Sequence, residues 1–140
     1  ENPEKLNRFG YFMGLAFQIQ DDILNLVGDK AKYGKEIGGD LVEGKRTLML
    51  IHLLNHCTPA EKDRVRLFLS DASPQNREQH AAGILKLLQR YKSIEYARKI
   101  AKTMAGAALK EFYTVFAKLP DSRDKAFMEN LISYMIKRDY

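Results

Sequence analysis

Between Phe9 and Val27 the chain is largely Phe, Tyr, Met, Leu, Ile and Ala, with apolar positions on nearly every side of a helical repeat. An apolar surface that continues around a repeat of about 3.6 residues predicts a helix buried on most of its circumference. Asn2-Pro3-Glu4 predicts its start, with Asn2 as the cap and Pro3 in the first turn. The helix should run to about Val27, a length of roughly 37 Å. Set into it is a polar group of Gln18, Asp21, Asp22 and Asn25. At helical spacing they fall within roughly one third of the circumference. Carboxylates in such a setting need a basic partner, a metal or a water-filled cleft. Gly10 and Gly14 lie on the same helix and predict either close backbone packing or room for a ligand.

The rest of the chain alternates short punctuation with helical periodicity. Gly28 to Gly44 is a loop region holding Gly28, Gly34, Gly38, Gly39 and Gly44, with Lys30, Lys32, Lys35 and Lys45 in or beside it. A second helix begins near Lys45 and carries Leu48, Leu50, Ile51, Leu53 and Leu54. Thr58-Pro59-Ala60-Glu61 is a capping box that opens a third helix ending near Ser70. Ser73 caps a fourth, in which Ala81, Ile84, Leu85 and Leu88 form the inner stripe. Ser93 caps a long fifth helix with the apolar line Ala97, Ala101, Met104, Ala108, Phe112 and Phe116, ended by Pro120. Its Ala105-Gly106-Ala107-Ala108 segment predicts close approach to another helix. Asp121 or Ser122 caps the last helix, with Met128, Leu131, Ile132 and Met135 inward. Strand-like alternation is absent, so the chain reads as all-α with about six helices in a single domain, residues 1–140.

Composition narrows the class without naming an activity. Lys plus Arg number 23 against 18 Asp plus Glu, a net charge of +5 that suits an anionic ligand. The basic residues are too dispersed for a nucleic-acid tract. The single cysteine, Cys57, excludes an intrachain disulfide and fits a reducing compartment. No signal peptide opens the chain and no apolar stretch is long enough to span a bilayer, so a soluble, cytoplasmic protein is expected.

The strongest chemical signal is the acidic stripe followed by the Gly/Lys loop. Carboxylates and a diphosphate repel each other directly. Mg²⁺ resolves this by bridging one or two carboxylates to phosphate oxygens, while loop lysines neutralise the remaining charge. An isolated Asp-Asp would more often be a solvated turn or a structural ion pair, but the apolar setting and the lysine-bearing loop reverse that balance. Other constellations are weaker. His52 and His56, with Cys57 beside them, have zinc-compatible spacing but no third ligand, and ordinary packing accounts for them better. Arg90, Lys92, Arg98, Lys99 and Lys102, interleaved with Glu95 and Tyr96, read as a solvated helix face.

These residues carry a resemblance. Gly14-Leu-Ala-Phe-Gln-Ile-Gln-Asp-Asp-Ile-Leu-Asn25, then Gly28-Asp29, Gly34-Lys35 and Gly39-Asp40-Leu-Val-Glu-Gly-Lys45, resemble the second aspartate-rich region of trans-isoprenyl diphosphate synthases, among them the geranylgeranyl and farnesyl diphosphate synthases. Leu131-Ile-Ser-Tyr-Met-Ile-Lys-Arg138 is similar to that family's closing helix. The resemblance implies an antiparallel helix bundle of the isoprenoid synthase type and a Mg²⁺-dependent prenyl transfer, in which an allylic diphosphate condenses with isopentenyl diphosphate. It further implies Asp21 as the direct magnesium ligand, with Asp22 acting mostly through metal-bound water. Gln18 would sit by the metal and the allylic diphosphate, Lys35 and Lys45 would contact that diphosphate as it leaves, Phe17 would wall the prenyl site, and Asp40 would order the loop.

Two departures qualify what is implied. The usual Asp-Asp-x-x-Asp ends here in Asn25, which can coordinate weakly without bringing charge and which also occurs in some geranylgeranyl diphosphate synthases. That tilts the expected product towards geranylgeranyl diphosphate. The first aspartate-rich motif and the residues for isopentenyl diphosphate are not found, so the chain is expected to be the C-terminal half of such an enzyme. Alone it would be inactive and prone to associate, needing the N-terminal part of the same enzyme, and the family's habit implies a homodimer. A non-catalytic helical subunit is the rival from another class, but such a subunit should have lost Gln18, Asp21, Lys35 and Lys45, and all four are present. A terpene cyclase would more naturally place Ser or Thr where Asn25 stands and Glu where Asp29 stands.

Overall fold

The computed structural model describes residues 3–28 and 38–137. Helix α1 spans Pro3–Val27, the one-turn α2 Gly39–Val42, α3 Leu48–His56, α4 Pro59–Ser70, α5 Pro74–Arg90, α6 Ser93–Phe116 and α7 Arg123–Lys137. Among the described residues there is no strand. The expected all-α class and its helices are therefore observed, with one additional turn at Gly39–Val42. The Asn2 cap and Lys30, Lys32, Lys35 and Arg138 fall outside the described residues.

Local chemistry sets most helix starts. The Thr47 hydroxyl accepts from the Leu50 N–H at 3.4 Å, which moves the start of α3 from the expected Lys45 to Leu48. Thr58 and Glu61 form the expected capping box, each satisfying a backbone N–H of the other. Ser73 caps α5 through Asn76, and Ser122 takes the Lys125 N–H at 3.1 Å before α7. Helix α6 begins at Ser93 after Lys92, which has a positive φ of 52°. Its end comes at Phe116, earlier than the expected stop at Pro120, because the residue before a proline is pushed out of helical geometry. Leu119 turns back to bond the Phe116 carbonyl at 3.1 Å.

The described residues fall into two compact units, one made of residues up to Gln20 together with those from Lys99 on, the other of Asp21–Arg98. In the first, Phe9, Ala108, Phe112 and Ile132 form a core against which Phe12, Met13, Phe116 and Met128 pack. The Phe9 and Phe116 rings meet edge to face at 6.0 Å, and Phe112 lies 4.9 Å from Phe116. Ala105 and Ala108 supply the close packing expected of the small-residue segment, whereas a side-chain carbon at Gly106 would meet nothing. In α7 the buried stripe is Ile132 and Met135 with Met128 beside it. Leu131, expected inward, is exposed with Phe127 and Tyr134, because these three share a face about 100° round the helix from the buried stripe.

In the second unit, α5 packs against α2, α3 and α4, burying Ile84, Leu87 and Leu88. The end of α1 contributes Ile23, Leu24 and Leu26 to that unit's interior. Burial on most sides of α1 holds only for this last part. Towards its start Leu6, Tyr11 and Phe17 are half or more exposed, and neither Gly10 nor Gly14 has another group within 4 Å.

Phe112 is 1 % exposed and touches both neighbouring phenylalanines, whereas Phe127 is 64 % exposed. Phe112→Ala should therefore cost about 3–5 kcal/mol and Phe127→Ala under about 0.5 kcal/mol. Urea melts of the two variants check this, and equal midpoints would contradict the core assignment.

Candidate functional site

The acidic stripe sits on the last turns of α1, where the helix enters the core of its unit. Asp22 and Asn25 are 7 % and 8 % exposed, and Asp21, on the outer side of the stripe, is half-buried. A carboxylate as buried as Asp22 requires a cation. Lys45 supplies it: its Nζ donates to Asp22 Oδ1 at 2.7 Å and to Asp40 Oδ2 at 3.1 Å. The Asp22 hydrogen bond, reinforced by Asp40, raises the Lys45 ammonium well above the ordinary value of 10.5, against the opposing effect of burial. A folded value above the unfolded one means that this contribution to stability is fully present below about pH 10.5 and is lost only as the pH rises further.

The loop that delivers Lys45 is tied at several points. Gly38 donates its N–H to the Asn25 carbonyl at 2.6 Å, and Asp40 donates its N–H to the Asn25 side-chain oxygen at 2.9 Å. Gly38 adopts φ 84°, a left-handed conformation that suits glycine, and opens α2. That turn went unread in the sequence because paired glycines argue against a helix. Lys45 closes the turn by donating its own N–H to the Asp40 carbonyl at 2.9 Å. Arg77 braces the far side, its guanidinium donating to the carbonyls of Val42 and, at 2.5 Å, Asp71. It lies so close to Gly44 that a side-chain carbon there would come within 3.3 Å of it. Nothing in the sequence marked Arg77, which occupies an ordinary position in a polar helix.

The expected site residues thus divide. Asp22, Asn25, Asp40 and Lys45 are brought together, and Asp21 adjoins them on α1. Phe17 and Gln18 are exposed positions one turn earlier on that helix, Phe17 at 52 %. Lys35 lies outside the described residues. Asn25, expected as a weak metal ligand, spends its amide oxygen on the Asp40 backbone.

Asp21 and Asp22 present hard oxygen donors of the kind Mg²⁺ takes. Among the described residues no group of three or more His, Cys, Asp or Glu could hold a metal.

The other constellations have structural occupations. The His52 ring stacks on His56 at 4.1 Å and on Tyr96 at 4.3 Å, with Nδ1 3.0 Å from the buried Ser93 hydroxyl. Burial, then the neighbouring His56, lowers the His52 pKa and favours the neutral ring. His56 Nδ1 stands 2.7 Å from the His52 carbonyl oxygen. Of the basic cluster, Arg90 pairs with Glu61, which also accepts from the Tyr91 hydroxyl at 2.5 Å. Lys92, Lys99 and Lys102 face solvent, as a solvated face requires.

Residues 1–88 match the family model described as polyprenyl synthetase. The short chain isoprenyl diphosphate synthase of Methanocaldococcus jannaschii is 40 % identical over 99 residues, which cover 70 % of this chain and 29 % of that one. The octaprenyl diphosphate synthase of Escherichia coli is 30 % identical over 139 residues, covering 99 % and 41 %. Among solved structures, the geranylgeranyl pyrophosphate synthetase of Pyrococcus horikoshii superposes with a TM-score of 0.79 at 30 % identity, over 99 % of this chain and 41 % of that one. The chain spans well under half the length of each. Its helices match the isoprenoid synthase fold, its site residues fall inside the matched region, and the chain belongs to the polyprenyl synthetase family.

Proposed function

We propose that the protein containing this chain is a Mg²⁺-dependent prenyltransferase, condensing an allylic diphosphate with isopentenyl diphosphate. The observation that carries the reading is the buried carboxylate of Asp22 paired with Lys45 beside Asp21, inside the region that matches the family. Asp21 and Asp22 would hold the ion. When bound, Mg²⁺ would draw charge from the departing diphosphate. Lys45, whose side chain is 39 % exposed, would meet a phosphate oxygen from the position in which Asp22 and Asp40 hold it. Lys35 would add a second positive charge from the loop. Phe17 would face the prenyl chain and Gln18 the diphosphate end, both from exposed positions on α1. The first aspartate-rich motif and the isopentenyl diphosphate site would come from the N-terminal part of the same enzyme, and the working unit would be a homodimer. Asn25 and the Pyrococcus horikoshii neighbour favour a geranylgeranyl product. The relatives' names run from short-chain to octaprenyl, so the length of the product made by the whole protein decides that point.

The direct test assays the whole protein with both diphosphates and Mg²⁺, and absence of chain elongation would sink the reading. Calorimetry gives a second check. If ion and diphosphate share Asp21 and Asp22, each should bind more tightly in the presence of the other, and equal Mg²⁺ affinity with and without an allylic diphosphate analogue would count against a bridge. The Asp22 and Lys45 pair makes a further prediction. Lys45→Met should lower turnover roughly 10- to 150-fold and, by leaving Asp22 buried without its partner, cost about 1–3 kcal/mol of stability. Adding Asp22→Asn should restore much of the stability but none of the turnover. Recovery of activity in the double variant would make the pair purely structural.

A further inference from the structure

Asn25 occupies the place where the family's motif carries a last aspartate, yet its contacts are those of a staple. It is 8 % exposed, on the final turns of α1. Its main-chain oxygen takes the Gly38 N–H at 2.6 Å and its side-chain oxygen takes the Asp40 N–H at 2.9 Å. One residue therefore catches the chain at two points where it returns from the loop. What it catches is the segment that aims Lys45: Asp40 Oδ2 is 3.1 Å from Lys45 Nζ, and the Asp40 carbonyl takes the Lys45 N–H at 2.9 Å. The circuit closes on α1 itself, because Lys45 Nζ also lies 2.7 Å from Asp22, one helical turn before Asn25.

The choice of an amide follows from charge. The Asp40 N–H needs an acceptor, and either Asn or Asp offers one. An aspartate here would put a further carboxylate within a turn of Asp22 and against Asp40, the two carboxylates that Lys45 already pairs with. Like charges one helical turn apart destabilise, and more so where water is scarce. Asparagine keeps the acceptor and omits the charge. Using that oxygen for a metal would compete with the Asp40 N–H and loosen the loop that carries Lys45.

We infer that Asn25 is a positioning residue and not a metal ligand: it fixes the Gly38–Asp40 backbone so that Asp40 holds Lys45 towards the diphosphate. The inference rests on the prenyl-transfer reading, in which Lys45 meets the diphosphate. The test uses the whole protein and inorganic diphosphate with Mg²⁺. Asn25→Ala should weaken diphosphate binding in calorimetry roughly five- to tenfold, the effect of one lost buried hydrogen bond. Amide exchange at Asp40 should lose its protection in the same variant. Asn25→Asp retains the acceptor and should hold both diphosphate affinity and Asp40 protection within about threefold of the wild type. The half-saturating Mg²⁺ concentration, measured at saturating diphosphate, should be the same in the wild type and Asn25→Ala, and should fall no more than about threefold in Asn25→Asp, the effect of the added charge alone. A metal ligand predicts otherwise, with Mg²⁺ demand rising in Asn25→Ala and falling beyond about threefold in Asn25→Asp, and that result overturns the inference. If Asn25→Ala does not fold, Asn25→Asp still decides through its Mg²⁺ demand. A wild type that binds diphosphate while Asn25→Ala binds it equally well overturns the inference alone. A wild type that binds no diphosphate overturns the prenyl-transfer reading and this inference with it.

Discussion

The Asp22 carboxylate is embedded in the apolar end of α1, and the surrounding structure is arranged to give it a cation. Removing a charge from water costs several kcal/mol unless a partner and hydrogen bonds replace the lost hydration. Lys45 meets that need from 23 residues further along the chain, shared with Asp40. A lysine side chain alone is long and floppy, so the ion pair depends on the backbone that presents it. Asn25 grips that backbone on one side and Arg77 on the other. The turn at Gly39–Val42, the positive φ at Gly38 and the close approach of Arg77 to Gly44 are consequences of fitting the chain between those two grips.

In the proposed function, this arrangement would let a cation and an anion be held on one short segment. Carboxylates alone would repel a diphosphate, and lysines alone would repel a metal. Pairing Lys45 with Asp22 and Asp40 brings opposite charges into one cluster, while Asp21 sits on the more exposed edge of the stripe. The Lys45 ammonium is held charged far beyond neutral pH, so loss of its proton does not break the pair near neutrality. The histidines stand apart from it. His52 is held neutral and stacked between two rings, which suits packing between α3 and the first turn of α6.

Much of this was legible in the amino-acid order. Periodicity and capping chemistry act over a few residues, so the six long helices, the Thr58 box and the caps at Ser73 and Ser122 could be read directly. The misreadings come from features that neighbours decide. Leu131 is as apolar as Ile132 but faces out, because only one side of α7 meets a core.

The sequence by itself determined the all-α class, the acidic stripe on α1 and the resemblance to trans-isoprenyl diphosphate synthases, because each is written in local spacing. Only the tertiary structure decided what those polar groups do to one another. That Lys45 belongs to Asp22, that Asn25 belongs to the Asp40 backbone and that Arg77 belongs to the site at all depends on contacts between residues 15 to 35 positions apart. Such contacts form when apolar faces from distant segments bury together and bring unrelated stretches of chain within hydrogen-bonding range. No pattern along the chain encodes a partner at that separation, since the distance is set by packing rather than by the repeat of a helix.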